Sequence, residues 1–342
     1  MIIRTPVVAR PRPATTASLR SMLAAYAERI DPDDPLAALA VGDRPEPEVP
    51  DGWAVVDVAA AALNHHDLWS LRGVGLSADA LPMILGCDAA GTDADGRRVV
   101  VHAVLGDPAV GDGDETLDPR RSLLSERYPG TLAQRVAVPA RNLVPLPDGI
   151  DFDTAACLPT AWLTAYRMLT TRGRLPQGGA VLVQGAGGGV ASAAVVLAQA
   201  LGARVYATSR VAAKRDRVAA LGVTAVEPGA KLPERVDVVI ETVGEATFEH
   251  SLKCAKPGGR IVVAGATSGH LPAVDLRRVF FLQLEIVGAT MGTRDELAAL
   301  LDLCVAKNLR PVVDSTYPLA DAATAFARLA EGTTFGKLVL HP

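Results

Sequence analysis

The chain has 342 residues, 49% hydrophobic and 21% charged, with a net charge of −4. That length exceeds one ordinary core, so two domains are expected, and the composition is that of a globular chain. No basic excess exists to displace counterions from nucleic acid, aromatics make up only 4%, and no apolar run approaches the roughly 18 residues of a membrane helix.

Residues 1–20 carry Arg4, Arg10, Arg12 and Arg20, several prolines and no acid. This predicts a disordered extension over 1–21, with Met22 as an alternative start; the composition also suits a transit peptide. From Trp53 to Leu63, "WAVVDVAAAAL" reads as a strand, as do Gly96–Val104 and Leu132–Ala140, bounded by Gly, Pro and Asp. No long helical period interrupts them, so this part is expected to be mostly β. The polar, glycine-rich stretch Gly106–Gly130 reads as a long surface loop. The four cysteines, Cys87, Cys157, Cys254 and Cys304, form no CxxC pair; free thiols predict a cytoplasmic protein.

Near Asp151 the pattern changes. "DTAACLPTAWLTAYRMLT" reads as a helix with Asp153 as its N-cap. Strands at 180–184, 203–208, 236–244, 260–265 and 284–290 then alternate with helices, as at 191–201 and 212–221. Such alternation predicts a parallel sheet with right-handed crossovers. A last helix, "DAATAFARLAEG", and a strand, "GKLVLHP", close the chain.

The most specific motif is "VLVQGAGGGVASAAVVLAQALGARVYATSR". A strand runs into Gly185, Ala186, Gly187, Gly188, Gly189 and Val190, which open a helix, with the spacing Ala186-x-Gly188-x-x-Ala191. Missing side chains let backbone approach a pyrophosphate, and the helix N-terminus offers it unpaired N–H groups. At the end of the next strand, NAD-binding proteins place an acid for the ribose 2′-OH. Here Ser209 and Arg210 stand at that corner, with Lys214 a turn on. A hydroxyl and two cations favour a 2′-phosphate, hence NADP(H); the bland alternative is a solvated helix face.

Together with "AALNHHDLW", "LPMILGCDAAG", "GTLAQRVAVPARNLVPLPDG", "AACLPTAWLTAYRML", "VVIETVG", "KPGGRIVVAGATSG" and "FGKLVL", the phosphate loop resembles the medium-chain dehydrogenase/reductase superfamily. The match is nearest its quinone oxidoreductase-like branch, whose members are often labelled zinc-binding alcohol dehydrogenases. The resemblance implies an α/β architecture: a GroES-like, mostly β catalytic domain over 22–150 and 312–342, and a Rossmann doubly wound parallel sheet over 151–311. It also implies a homodimer through the late strands "RIVVAG" and "LEIVGAT", and a small-molecule substrate.

Zinc-dependent relatives hold catalytic zinc at positions that fall here on Asn64, on the Cys87–Asp88 pair and near Thr160. Only Cys87 would serve unchanged, so no metal is expected, with Cys87 small and semi-buried and Asp88 tied to backbone or a basic group. A rearranged site of Cys87, Asp88 and His66 is the alternative. The resemblance implies hydride transfer from NADPH to a quinone, an enone or an activated carbonyl, acceptors that need no Lewis acid. It places Asn64 as a donor to substrate or nicotinamide, His66 (or His65) as a proton relay, and Asp67 as their orienter. It places Thr164, Gly265, Ala266 and Thr267 near the nicotinamide end, and Thr242 and Val243 along the adenosine. Trp69, Phe280 and Phe281 are candidates for pocket walls or core. The competing functions are a zinc alcohol dehydrogenase with altered ligands and a catalytically silent NADP(H)-binding protein.

Overall fold

The computed structural model describes residues 20–342. Most of the expected N-terminal extension lies outside these residues, but its last position is ordered: Ser21 opens strand β1 (Ser21–Ala27), which pairs antiparallel with β2 (Leu39–Pro45). The long β3 (Trp53–Ala62) follows, then helix α1 (His65–Leu71), β4 (Met83–Ile84), β5 (Asp88–Asp93), β6 (Arg98–Val101), β7 (Val104–Leu105), β8 (Ser122–Leu123), β9 (Arg135–Pro139) and β10 (Leu143–Pro145). The small residues of β3 let it be covered on both faces while pairing with β9 at one end and β5 along the rest. The register of β3 against β5 shifts between Val58 and Ala60, and there Gly91 passes so close to the Asp57 carbonyl that no Cβ fits.

Asp151, not Asp153, caps the helix that follows: its carboxylate accepts from Thr154 N at 2.7 Å. That helix is α2 (Phe152–Ala156). It continues through a wide turn at Leu158–Trp162 into α3 (Leu163–Arg167). Pro159 sits in the wide turn and has no N–H to donate to a regular one. Then come β11 (Ala180–Val183), α4 (Gly189–Ala200), β12 (Arg204–Thr208), α5 (Ala212–Ala219), β13 (Thr224–Val226), β14 (Val236–Glu241), α6 (Glu245–Cys254), β15 (Ala255–Val263), α7 (Leu276–Phe281), β16 (Glu285–Gly288) and α8 (Arg294–Ala306). The six strands β11–β16 form one parallel sheet in the order β13-β12-β11-β14-β15-β16. This is the doubly wound arrangement, with its crevice where the order reverses, between β11 and β14. The chain then returns as β17 (Val313–Pro318), α9 (Ala322–Ala330) and β18 (Lys337–His341). Strand β18 inserts beside β3 in the first sheet.

The stretch 106–130 is not the free surface loop that its polarity suggests. Glu115, Thr116, Asp118 and Ser122 are buried. Glu115 Oε1 accepts from Arg294 N at 2.7 Å at the start of α8, and His102 Nε2 lies 2.8 Å from Gly292 O. Buried Arg167 on α3 is held between Asp114 of this stretch and Glu296 of α8, the latter at 2.8 Å. Burial opposes the charge on Asp114, but hydrogen bonds from Arg167 and Thr116 outweigh it and hold the carboxyl below its usual range. Polar composition read as solvated surface is here a clasp between the two halves.

Arg167→Met leaves both carboxylates without their cation. It should destabilise the fold by about 3–5 kcal/mol at neutral pH in urea titration. The contribution of Asp114 is present above its unfolded pKa of 3.8 and is lost as pH falls through its lower folded value. The gap between variant and parent should therefore narrow as pH falls through the carboxylate range, where the carboxyls stranded in the variant take up protons.

Candidate active site and cofactor cleft

A cleft of about 1000 Å³ runs along the carboxyl ends of the parallel strands, between the two halves. It opens into an inner pocket of about 220 Å³. Its bed is the phosphate loop. Gly188 caps α4, Gly185 and Gly187 have φ of 71° and 132°, and a Cβ at Gly185 would strike the Val243 side chain. Only glycine adopts these conformations this close to a neighbouring wall. Gly185, Ala186, Gly188, Gly189 and Val190 line the cleft, while Gly187 is covered by the stem of Lys214.

Ser209, Arg210 and Lys214 stand together at one end of the cleft, and among the described residues no acidic side chain lines it. Thr242 and Val243 lie beside the phosphate loop, with Gly265, Ala266 and Thr267 next to them. Thr164 is separated from these; it lines the inner pocket, together with Gly188, Gly189 and Val190. Fully buried Glu241, which sequence reasoning passed over, shapes this wall. Its carboxylate accepts from Val243 N at 2.8 Å, Gly244 N at 3.0 Å and Ser251 Oγ at 2.6 Å. Ser251 also accepts from Gln184 Nε2, and Gln184 Oε1 accepts from Thr208 at the end of β12. One buried polar network therefore sets both walls of the cleft.

The inner pocket is built around a residue that the motif reading did not assign. Lys337, the first residue of β18, has its ammonium buried on the pocket floor. It donates to Leu63 O at 2.7 Å, Asn64 Oδ1 at 2.6 Å and Asp88 Oδ2 at 2.9 Å. The sequence signal was a single cation at the head of an apolar strand, "GKLVL". Asn64 lies at the pocket, and its amide is engaged by the protein. Nδ2 donates to Asp88 Oδ2 at 2.8 Å, with Ala62 O at 3.4 Å. This arrangement has a plain cause: a buried carboxylate and ammonium demand partners, and Asn64 supplies both kinds.

The two histidines face the open space. His65 and His66 line both the cleft and the inner pocket. The protein around His65, and then the ammoniums of Lys337 and Lys214, lower its pKa, so its imidazole is neutral at pH 7 and donates through one N–H. His65 is at once surrounded by protein mass and exposed to the cleft. His66 Nε2 lies 3.4 Å from Ser70 Oγ. Asp67 orients this turn by accepting from Asn64 N at 2.8 Å and Gly86 N at 3.0 Å, and burial raises its pKa to about 6.

Cys87 is fully buried rather than semi-buried. Its thiol donates to Leu124 O at 3.2 Å, and burial pushes its pKa well up. The positions at which relatives hold zinc thus present an amide bonded to Lys337 and Asp88, a thiol bonded to a carbonyl, a carboxylate paired with an ammonium, and the Thr160 hydroxyl. These are not three convergent zinc donors. The alternative set of Cys87, Asp88 and His66 is no better, because each points to a different partner, and no group of three His, Cys, Asp or Glu suited to a metal occurs among the described residues. The positive charge at this place belongs to Lys337. Trp69 lines the cleft. Phe280 and Phe281 do not; they stand exposed on α7, in contact with each other as a tilted pair with ring centroids 4.5 Å apart.

A family model described as the alcohol dehydrogenase GroES-like domain matches residues 50–148, and one described as zinc-binding dehydrogenase matches residues 211–340. An acryloyl-coenzyme A reductase of Sulfurisphaera tokodaii is 28% identical over 318 residues, 87% of this chain and 95% of that protein. A solved NAD-dependent alcohol dehydrogenase superposes with a TM-score of 0.86 at 34% identity, covering 94% of this chain and all of the other. The 2-octenoyl-CoA carboxylase reductase CinF, solved with NADP and 2-octenoyl-CoA, superposes with a TM-score of 0.85 at 26% identity, covering 94% of this chain and 87% of that one.

Lys337→Met would leave Asp88 as an unpaired buried carboxylate and should cost about 3–5 kcal/mol of stability. The double variant Lys337→Met/Asp88→Leu should recover most of that loss, because it removes the stranded charge as well. Thermal or urea melts of the three proteins measure the difference.

Proposed function

We propose that this chain, which belongs to the medium-chain dehydrogenase/reductase superfamily, is an NADPH-dependent reductase of a carbon–carbon double bond conjugated to a carbonyl, in an enone or an enoyl thioester. One observation carries the reading. A single cleft joins an acid-free corner of Ser209, Arg210 and Lys214 to an inner pocket floored by an ammonium instead of metal donors. The first feature favours a 2′-phosphate and the second an acceptor that is already electrophilic. The enoyl-CoA substrates named for two relatives support the same class. The alcohol dehydrogenase relative is named NAD-dependent; the corner residues of this chain argue for NADPH.

NADPH, when bound, supplies the hydride. The phosphate loop and the N-terminus of α4 would hold its pyrophosphate, and Thr164, Gly265, Ala266 and Thr267 would line its nicotinamide end. The neutral imidazole of His65 offers an N–H to the acceptor's carbonyl oxygen as negative charge develops. Hydride adds to the β-carbon, and His66, with Ser70 behind it, passes a proton from solvent in the open cleft to the α-carbon of the resulting enolate. Lys337, Asp88 and Asn64 hold the turn that carries both histidines.

The direct test is NADPH oxidation against a panel of enoyl thioesters, enones, quinones and simple aldehydes, with and without chelator. Chelator-insensitive turnover of the conjugated alkenes supports the reading; turnover confined to aldehydes and abolished by chelator overturns it. NADPH should be preferred to NADH, and Arg210→Ala should raise the KM for NADPH about tenfold or more while leaving NADH nearly unchanged, since a charge-assisted hydrogen bond contributes about 1.5–3 kcal/mol.

We further propose a homodimer through the β16 edge of the parallel sheet. Of the two late strands, β15 is interior, between β14 and β16; only β16 has an open edge. Beside it α7 exposes Leu276, Phe280 and Phe281, the last 76% exposed. An open strand next to such an apolar patch is stable in water only when covered. Phe281→Glu should convert a dimeric mass in light scattering at micromolar concentration to a monomeric one. A monomeric parent protein would refute the assembly.

A further inference from the structure

Residues 331–336, between α9 and β18, form a strap from the catalytic half across the cofactor cleft. Gly332 and Thr334 line the cleft, and Thr334 and Gly336 line the inner pocket. The strap leads directly into Lys337 on the pocket floor. Its far end is bound to the phosphate loop, where Gly336 N donates to Gly187 O at 2.9 Å. Its near end is gripped by α5, the helix that follows the Ser209–Arg210 corner. Lys214 Nζ donates to Gly332 O at 2.7 Å. One turn on, the Arg217 guanidinium lies 4.2 Å from the centroid of the Phe335 ring.

We propose that Lys214 couples the 2′-phosphate of the cofactor to this strap: one ammonium holds both, so the strap is held more firmly over NADPH than over NADH. The proposal rests on the NADPH reading above and adds to it a specificity-determining residue that acts on the substrate pocket. An ammonium has three hydrogens. Gly332 O takes one of them, and Lys214 also lines the cleft beside Ser209 and Arg210, so hydrogens remain for an anion there. Without an anion, the charge of Lys214 is disfavoured. Burial lowers its pKa; Asp314 opposes the shift, while Arg217 and Arg328 add to it. A phosphate at the corner opposes that shift and adds to the stability of the charged form. The same charge strengthens the bond to Gly332 O. NADH has a hydroxyl at that place and supplies no such charge. Because the strap continues into Thr334, Gly336 and Lys337, the 2′-phosphate is felt at the acceptor's end of the cleft as well as at its own.

The test is hydrogen–deuterium exchange of the full chain over residues 331–337. The probes are 2′,5′-ADP and 5′-AMP, which differ in the 2′-phosphate and lack the nicotinamide half that would cover the strap directly. Binding is followed in parallel by calorimetry. Saturating 2′,5′-ADP should slow exchange in the strap several-fold and 5′-AMP should not; in Lys214→Met the two should be equal. In kinetics with NADPH varied up to saturation, Lys214→Met should lower kcat several-fold as well as raise the KM for NADPH, whereas Arg210→Ala should act on that KM alone. If 2′,5′-ADP binds but leaves the strap unchanged, or protects it equally in Lys214→Met, the coupling is overturned while the NADPH reading stands. If 2′,5′-ADP binds no better than 5′-AMP, both fall.

Discussion

Three backbone segments meet at the ammonium of Lys337. It is contributed by β18 and accepted by Leu63 O and Asn64 Oδ1 before α1 and by Asp88 Oδ2 at the start of β5. Such a charge is tolerated in a fold only when every hydrogen finds an acceptor, because the desolvation of an ammonium costs several kcal/mol and its attraction to one carboxylate does not return all of it. Asn64 completes the set by accepting from Lys337 and donating to Asp88. The stem of Lys337 also packs against Gly189, the first residue of α4. The turn bearing His65 and His66, the floor of the inner pocket and the start of the phosphate helix are thus set relative to one another by one side chain.

The rest of the cleft is arranged around that point. The parallel sheet reverses its order between β11 and β14, which opens a crevice at their carboxyl ends. Glu241 and Gln184 turn the loops on either side of it through buried hydrogen bonds. On the opposite side, the chain from α9 to β18 passes over the crevice, tied to Gly187 by Gly336 and to α5 by Lys214. The clasp of Asp114, Glu115, Arg167 and Glu296 holds the two halves from another direction. A cofactor lying in this cleft would touch elements from both halves, so the positions of the halves matter to its chemistry as much as any single contact.

Much of this was legible in the residues. The phosphate loop announces itself because its demands are local: glycine where φ is positive, a strand before it and a helix after it. The cationic corner is likewise local, set by the length of one strand and one turn. The helix cap was misplaced by two residues because Asp151 and Asp153 have the same capping chemistry, and only the backbone path decides between them. The stretch 106–130 was misread because its acids look solvated in sequence; their arginine partner, Arg167, and the N-terminus of α8 lie far along the chain.

The sequence by itself determined the doubly wound half, the phosphate loop, the cationic corner of Ser209, Arg210 and Lys214, and the departure of the Asn64, Cys87–Asp88 and Thr160 positions from a zinc donor set. Each depends on residues a few positions apart, whose geometry the backbone constrains directly. Only the tertiary structure decided what stands at those positions. Lys337 is 249 residues from Asp88 and 273 from Asn64, so no spacing rule connects them. It also decided that Asn64 spends its amide on that pair, that Phe280 and Phe281 face outward, and that Lys214 reaches across to Gly332. The physical reason is the same in each case: a buried charge or polar group takes whatever partner the packed chain brings to it, and that choice belongs to the fold as a whole.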